Sequence, residues 1–182
     1  MGSRRIGKRR IRSLQDAKQS ASDEWGLVRP AAIACAGLSR SIKSVQLGQM
    51  HGFGITDRIC QSFYQAGADV ITTGNHVWDQ RDIINYIGSD PKLLRPLNFP
   101  EGTPGRGVGE FETATGSKVV VIHPMCRLFM DPLDDPFVGV EAALENYILG
   151  SNAGAILVDV HGEATSEKQA IAHVLDGRVS AV

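Results

Sequence analysis

The chain has 182 residues, of which 42% are hydrophobic, and its 19 basic and 20 acidic residues give a formal net charge of −1. This length is sufficient for one domain with a buried core. No apolar run approaches the roughly 18 residues of a membrane-spanning helix, and Met1 is followed by charged residues. Neither a membrane span nor a secretory signal is therefore expected, and the composition predicts a cytoplasmic protein.

The near-zero net charge conceals an uneven distribution of charge along the chain. Residues 1–50 contain ten Lys and Arg against three acidic residues, a formal charge of +7, and the remaining residues carry −8. The basic cluster over residues 4–12 could form an arm that contacts RNA phosphates. Because the cluster lacks interleaved aromatic residues and its hydrophobicity is low, a disordered leader is the preferred interpretation.

The rest of the chain alternates helices and strands as an α/β domain does. In chain order we predict a helix over 55–65 with Thr56 as its N-cap, a strand over 69–73, a helix over 79–87, a long irregular segment over 95–109, a strand over 119–122, a helix over 138–149 and a strand over 155–160. Cys35, Cys60 and Cys126 are isolated from one another and fit neither a zinc pattern nor a disulfide framework. They are predicted to be reduced packing residues.

Two of the predicted strands end in polar residues suited to metal and proton chemistry. The strand over 69–73 continues into Gly74, Asn75 and His76, and the strand over 155–160 continues into His161. Loops at the carboxyl ends of such strands are where open α/β sheets bind ligands. An amide oxygen can bind a metal ion, and an imidazole can bind a metal or transfer a proton. A helix-capping Asn and a packing His would give the same short pattern, and the two interpretations are evenly balanced for Asn75 and His76 alone.

Five ordered segments together resemble the YmdB-type bacterial metallophosphoesterases, which are calcineurin-like enzymes. These segments are GFGIT at 52–56, GADVITTGNHVWD at 67–79, RPLNFPEGTPG at 95–105, LDDPF at 133–137 and HGEATSEK at 161–168. The resemblance implies a partial form of the family's four-layer α/β/β/α sandwich. It also implies metal-dependent hydrolysis of phosphodiesters, with 2',3'-cyclic nucleotides as the leading substrate class.

The resemblance also implies roles for individual residues. Asn75 and His161 are the expected ligands of one of two divalent ions, with iron or manganese favoured, and His76 is the expected proton donor. The family's opening Asp is not recognisable, and its bridging Glu and the Asn that follows fall on Leu47 and Gly48. The family's final histidine turn would lie beyond Val182, so we expect a truncated chain with incomplete metal ligation.

Three further residues have weaker predicted roles, and Asp16 is a weak candidate ligand. His123 follows the strand over 119–122 and is expected to have a rim role or a packing role. Arg127 could reach a substrate phosphate, and Glu163 could orient His161 or contact substrate. Asp16 has the spacing of the missing Asp, but it lacks the strand and glycine turn that such a ligand needs.

The family likeness divides the chain into a basic segment over 1–50 and a partial metallophosphoesterase domain over 51–182. The abrupt start of the likeness suggests a frame shift or a misassigned start upstream. Three functions therefore remain open: an active phosphodiesterase, a non-catalytic truncated or degraded paralogue, and an RNA-binding module that uses the basic arm. An unpaired sheet edge would promote self-association, so a homo-oligomer is expected.

Overall fold

The computed structural model describes residues 29–32, 43–46 and 54–182. Within these residues lie seven strands and four α-helices. The strands are β1 (Arg29–Ala32), β2 (Lys43–Gln46), β3 (Val70–Thr72), β4 (Leu93–Leu94), β5 (Val108–Glu112), β6 (Lys118–Ile122) and β7 (Ala155–Val158). The helices are α1 (Asp57–Gln65), α2 (Ile83–Ile87), α3 (Pro136–Leu144) and α4 (Thr165–Val174).

The strands form two sheets. In the first sheet the order is β1-β2-β3-β4, with β1 antiparallel to β2 and the other two pairs parallel. In the second sheet the order is β5-β6-β7, with β5 antiparallel to β6 and β6 parallel to β7. The parallel strands β3, β6 and β7 are the ones whose carboxyl ends lead to the polar residues singled out above.

In each sheet, one face is covered by helices, and the opposite face packs against the other sheet. Successive strand side chains point to opposite faces, so Ile71 packs with α1 and α2 while its neighbour Val70 joins the layer between the sheets. Ile156 likewise packs with α3 and α4, whereas Leu157 faces Val70. The predicted α/β/β/α layering is therefore confirmed.

The predicted strands and the first helix match the structure closely. Strands were expected over 69–73, 119–122 and 155–160, and β3, β6 and β7 occupy these positions. Helix α1 begins after Thr56, whose hydroxyl accepts a hydrogen bond from the backbone N–H of Ile59 at 3.4 Å, so the predicted N-cap is confirmed.

Two predicted helices had wrong boundaries. The helix expected over 138–149 begins at Pro136, because the Asp135 side chain caps the backbone N–H groups of Phe137 and Val138. It ends at Leu144, because Asn152 bonds the backbone of residues 146 and 148 and closes a turn there. The helix expected over 79–87 is reduced to α2, and residues 75–78 form a separate 3₁₀ helix.

Several elements were not predicted. Strands β1 and β2 lie in the basic segment, β4 is only two residues long, β5 begins inside the segment expected to be irregular, and α4 buries only Ile171. Residues 1–28, which include the basic cluster and Asp16, and residues 47 and 48 lie outside the described part of the chain. Cys60 and Cys126 are free and buried, and burial raises the pKa of both thiols, so their predicted packing role is confirmed. None of the described helices has the length and apolar character to cross a bilayer.

The Pro- and Gly-rich segment after β4 is organised around a buried arginine. The guanidinium of Arg95 donates to the carbonyl oxygens of Pro104, Pro96, Leu97 and Thr103 at 2.8 to 3.3 Å. Burial lowers the pKa of Arg95. Backbone carbonyls thus compensate for the removal of this cation from water and give the segment one ordered conformation.

Asn98 connects this segment to the chain that follows β6. Its amide nitrogen donates to the carbonyl oxygens of Met125 and Asp134, and its amide oxygen accepts the backbone N–H of Met125, all at 2.9 Å. The side chain is buried. Asn98 therefore supplies the hydrogen-bond partners of the backbone N–H and carbonyl oxygen of Met125.

We expect Asn98→Ala to lower the free energy of unfolding by about 2–4 kcal/mol, because it leaves buried backbone groups of Met125 without partners. Urea unfolding followed by circular dichroism measures this change. Asn146→Ala is the matched control, since Asn146 is exposed and its side chain makes a single hydrogen bond, at 3.5 Å. It should change the same free energy by less than about 0.5 kcal/mol. Equal effects of the two substitutions would contradict this role for Asn98.

Candidate active site

Two cross-sheet contacts bring the ends of β3 and β7 together. The Thr72 hydroxyl at the end of β3 donates to Asp159 Oδ2, just after β7, at 2.6 Å. Nearby, His123 lies between the carbonyl oxygen of Thr73, 3.0 Å from Nε2, and that of Asp159, 2.7 Å from Nδ1. We call Thr72, Thr73, His123 and Asp159 the seam. The seam fixes the distance between the loops that carry the candidate site residues.

His123 is completely buried, as its predicted packing role requires. Burial lowers the pKa of His123, although the neighbouring Asp159 carboxylate acts in the opposite direction. A neutral imidazole has one N–H group, so only one of the two carbonyl contacts can be a hydrogen bond at any moment. His123 thus contacts the segment before Asn75, at Thr73, and the segment before His161, at Asp159.

Asn75 and His76 lie on the 3₁₀ helix Asn75–Trp78 that directly follows β3. Its buried side is held by Val77, and the ring of Trp78 packs edge-on against Phe99 with a centroid distance of 5.7 Å. These apolar contacts anchor the short helix while Asn75 and His76 remain partly exposed.

Asp79 orients the ring of His76. Nδ1 of His76 lies 2.8 Å from Asp79 Oδ2, and because a carboxylate can only accept, Nδ1 carries the proton in this contact. The His76 side chain is 43% exposed, so Nε2 remains available to a bound molecule. Proton transfer by general acid or base requires a positioned and accessible imidazole of this kind.

His161 faces Asn75 across the seam. His161 Nε2 lies 3.0 Å from Asn75 Oδ1, although the two residues are 86 positions apart in the sequence. Burial, followed by the charges of His123, Lys168 and His76, lowers the pKa of His161 to about 4. The ring is therefore neutral at pH 7, and a neutral imidazole is the form that binds metals.

Gly74 provides the space for this arrangement. A Cβ atom at position 74 would lie 2.5 Å from Nε2 of His161 and 2.6 Å from Cε1. The backbone of Gly74 is extended, with φ of −167°, so the requirement is for space and not for unusual torsion angles. The imidazole can occupy its position beside Asn75 only because residue 74 has no side chain.

The donor atoms of the described residues could provide part of the ligands of one metal ion. Two donor atoms bound at about 2.1 Å and at right angles on one ion are about 3.0 Å apart, and Asn75 Oδ1 and His161 Nε2 have this separation. However, the described part of the chain contains no group of three or more His, Cys, Asp or Glu residues that could hold a metal. The donors present there therefore suit part of one coordination shell, and a two-ion centre would need further ligands.

The structure brings together all three residues expected from the sequence: Asn75 and His161 are in contact, and His76 follows Asn75. Their roles stay predictions. The sequence interpretation missed Asp79 and the steric role of Gly74. The position of Asp79, three residues after His76, was a usable signal, because that spacing places side chains on one side of a helical turn. Arg127 and Glu163 are exposed, and their weaker predicted roles also stay predictions.

Residues 47–182 match the protein family described as YmdB-like protein. The chain is 46% identical over 132 residues to the 2',3'-cyclic-nucleotide 2'-phosphodiesterase of Bacillus subtilis, covering 72% of this chain and 49% of that protein. It thus spans about half the length of the relatives that it matches.

Two crystal structures resemble the fold. A hypothetical protein from Thermus thermophilus shares 43% identity with a TM-score of 0.63, covering 69% of this chain and 48% of that one. A novel phosphatase from Mycoplasma pneumoniae shares 27% identity with a TM-score of 0.62, covering 71% of this chain and 47% of that one.

We expect Gly74→Ala to displace the His161 ring and to lower the free energy of unfolding by about 1–3 kcal/mol, as overpacking does in other cores. Urea unfolding and the NMR shifts of the His161 ring measure the two effects. Gly88→Ala is the matched control, since a Cβ there would meet only the Asn85 carbonyl oxygen, at 4.0 Å, and φ is −65°. A His161 signal that is unchanged in Gly74→Ala would show that the close packing is wrong.

The lowered pKa of His161 predicts a pH dependence of stability. The unfolded chain binds a proton at this residue below about pH 6.5, whereas the folded chain does so only near pH 4. Stability should therefore fall as the pH is lowered from 6.5 to 4, by on the order of 3 kcal/mol for this group. Urea unfolding in EDTA at several pH values measures this slope.

His161→Gln should flatten the pH dependence of the free energy of unfolding in this window, because the titrating group is removed. His173→Gln is the matched control, since His173 is exposed on α4, and it should leave the slope nearly unchanged. A steeper slope in His161→Gln than in the unsubstituted chain would reverse the sign argued above.

Proposed function

From the finding that this chain belongs to the YmdB-like protein family, we propose that it hydrolyses phosphodiesters as a metallophosphoesterase, with 2',3'-cyclic nucleotides as its substrates. The observation that carries the proposal is the 3.0 Å contact between Asn75 and His161, next to the partly exposed imidazole of His76. The name of the Bacillus subtilis relative supports the choice of substrate class.

In this proposal His76 protonates the leaving oxygen. Asp79 holds Nδ1 and thereby directs Nε2 outward, where a bound phosphodiester can meet it. Protonation of the departing ribose oxygen avoids the release of a strongly basic alkoxide, and general acid catalysis of this kind contributes roughly 10²- to 10⁴-fold to the rate.

Asn75 and His161 are the proposed residues that hold a divalent ion. Family membership implies the use of divalent metal, and we propose iron or manganese, with two ions in the complete site. When bound, such an ion activates water and offsets phosphate charge. The neutral state of His161 suits this role, because a neutral imidazole has one unprotonated nitrogen that can bind an ion near pH 7.

A non-catalytic function is the second candidate. It is favoured by the ligand count, since the described residues contain no group of three or more His, Cys, Asp or Glu side chains that could hold an ion. In that case the chain would keep the fold and the contact between the sheets without turnover. A homo-oligomer is proposed for either function.

We expect His76→Ala to lower kcat for 2',3'-cyclic AMP, with Mn²⁺ or Fe²⁺ supplied, by roughly 10²- to 10⁴-fold while leaving bound metal nearly unchanged. His161→Ala should lower both kcat and metal content, because it removes a ligand. Turnover is measured by chromatography of the ring-opened product, and metal content by elemental analysis after dialysis.

Asp79→Asn serves as an intermediate test, because it keeps the size of the side chain but weakens the contact with His76 Nδ1. It should lower kcat less than His76→Ala. Loss of metal in His76→Ala would reassign His76 as a ligand. Absence of turnover in the unsubstituted chain with every metal supplied would favour the non-catalytic function.

A further inference from the structure

A strained turn presents an aromatic ring to solvent beyond the end of β6. Phe129 is 89% exposed and has φ of 64°, and it is the only non-glycine residue with positive φ in the described part of the chain. Bulky side chains rarely adopt this conformation, and glycine is the residue that suits it. An exposed ring contributes little to folding, so neither the backbone strain nor the ring is explained by stability.

The turn is held firmly in place. The Met130 N–H donates to the carbonyl oxygen of Arg127 at 3.2 Å, which closes a turn with Leu128 and Phe129 at its centre. Both carboxylate oxygens of Glu167 accept backbone N–H groups, from Arg127 at 2.8 Å and from Leu128 at 2.9 Å. These charge-assisted contacts fix the backbone of the turn that carries the ring.

The turn begins directly beside His161. Met125 pairs with His161 as a parallel bridge, and the Cys126 N–H donates to the carbonyl oxygen of His161 at 2.8 Å. Phe129 follows Met125 by four residues, which limits its distance from that pair to roughly 14 Å of extended chain, and the turn shortens it. In the sequence, Arg127 lies between Met125 and Phe129, and its exposed side chain makes no ion pair among the described residues.

We propose that Phe129 is a stacking platform for the base of the nucleotide whose phosphate reacts beside Asn75, His76 and His161. The inference rests on the proposed function and adds to it a residue that determines substrate class. An aromatic face accepts any base by stacking, so the platform favours nucleotides over phosphodiesters that lack a base. Arg127, which lies between Met125 and Phe129 in the chain and is exposed, supplies the positive charge for the phosphate in this proposal.

A contact between two copies of the chain is the competing use of an exposed phenylalanine. The adjacent cationic side chain of Arg127 and the connection to His161 favour an anionic ligand with an aromatic group, which a nucleotide provides. The two uses predict different properties for a Phe129 variant, and the experiment below separates them.

The test is equilibrium binding of 3'-AMP and of ribose 3-phosphate, measured by calorimetry with the full chain and excess Mn²⁺. Both probes carry the phosphate and the ribose, and only the first carries a base. Phe129→Gly should weaken binding of 3'-AMP roughly 5- to 150-fold, the range that stacking of one base corresponds to. It should leave the affinity for ribose 3-phosphate unchanged.

Two further variants and one further measurement complete the design. Phe129→Trp should retain tight binding of 3'-AMP, and Leu128→Ala is the matched control from the same turn, with no expected change for either probe. Because glycine suits positive φ, the melting temperature of Phe129→Gly should equal or exceed that of the unsubstituted chain. Tight binding of 3'-AMP in Phe129→Trp, together with weak binding in Phe129→Gly, would show that an aromatic ring is required at this position.

Each contrary result has a distinct meaning. Unchanged 3'-AMP affinity in Phe129→Gly, with both probes bound by the unsubstituted chain, overturns the platform and leaves the proposed function intact. Failure of the unsubstituted chain to bind either probe overturns both. A lower melting temperature together with an equal loss of affinity for both probes would show that the ring stabilises the fold. A smaller oligomer in sedimentation with unchanged affinities would show that the ring forms a contact between copies.

Discussion

The ends of β3 and β7 belong to different sheets, and the seam joins them by hydrogen bonds next to the candidate site. His123 contacts the carbonyl oxygens of Thr73 and Asp159, and the Asp159 carboxylate accepts the Thr72 hydroxyl. Thr72 and Thr73 lie three and two residues before Asn75, and Asp159 lies two residues before His161. Small shifts between the sheets would therefore separate the candidate ligands, and the seam opposes such shifts with hydrogen bonds that are largely shielded from water.

Desolvation at the seam also determines the chemistry of the site. The same burial that strengthens these hydrogen bonds lowers the pKa of His161 to about 4 and keeps its imidazole neutral. His76 is in a different environment, since it is half exposed and directed by Asp79. Two histidines that meet the same site are thus suited to different tasks, one to binding an ion and the other to exchanging a proton.

Helix α4 connects the candidate site to the turn that carries Phe129. The segment from His161 leads within a few residues to Glu167, whose carboxylate holds the backbone of Arg127 and Leu128. The chain after β6 is bonded to His161 on one side and to Glu167 on the other. A movement of the His161 segment would therefore be transmitted to the turn, and the strained conformation of Phe129 persists because both ends of that turn are fixed.

The sequence by itself determined the elements with strong local patterns. Apolar β-branched runs predicted β3, β6 and β7, and Thr56 marked the start of α1. The motifs around Asn75, His76 and His161 indicated the family and the candidate site residues. It failed where local signal is weak, as in the two-residue β4, the polar α4, and the early end of α3 imposed by Asn152. Tertiary structure alone decided the contact between Asn75 and His161, the burial that lowers the pKa of His161, and the space at Gly74. Each of these depends on residues distant in sequence being packed across two sheets, and neither periodicity nor spacing within one segment records that packing.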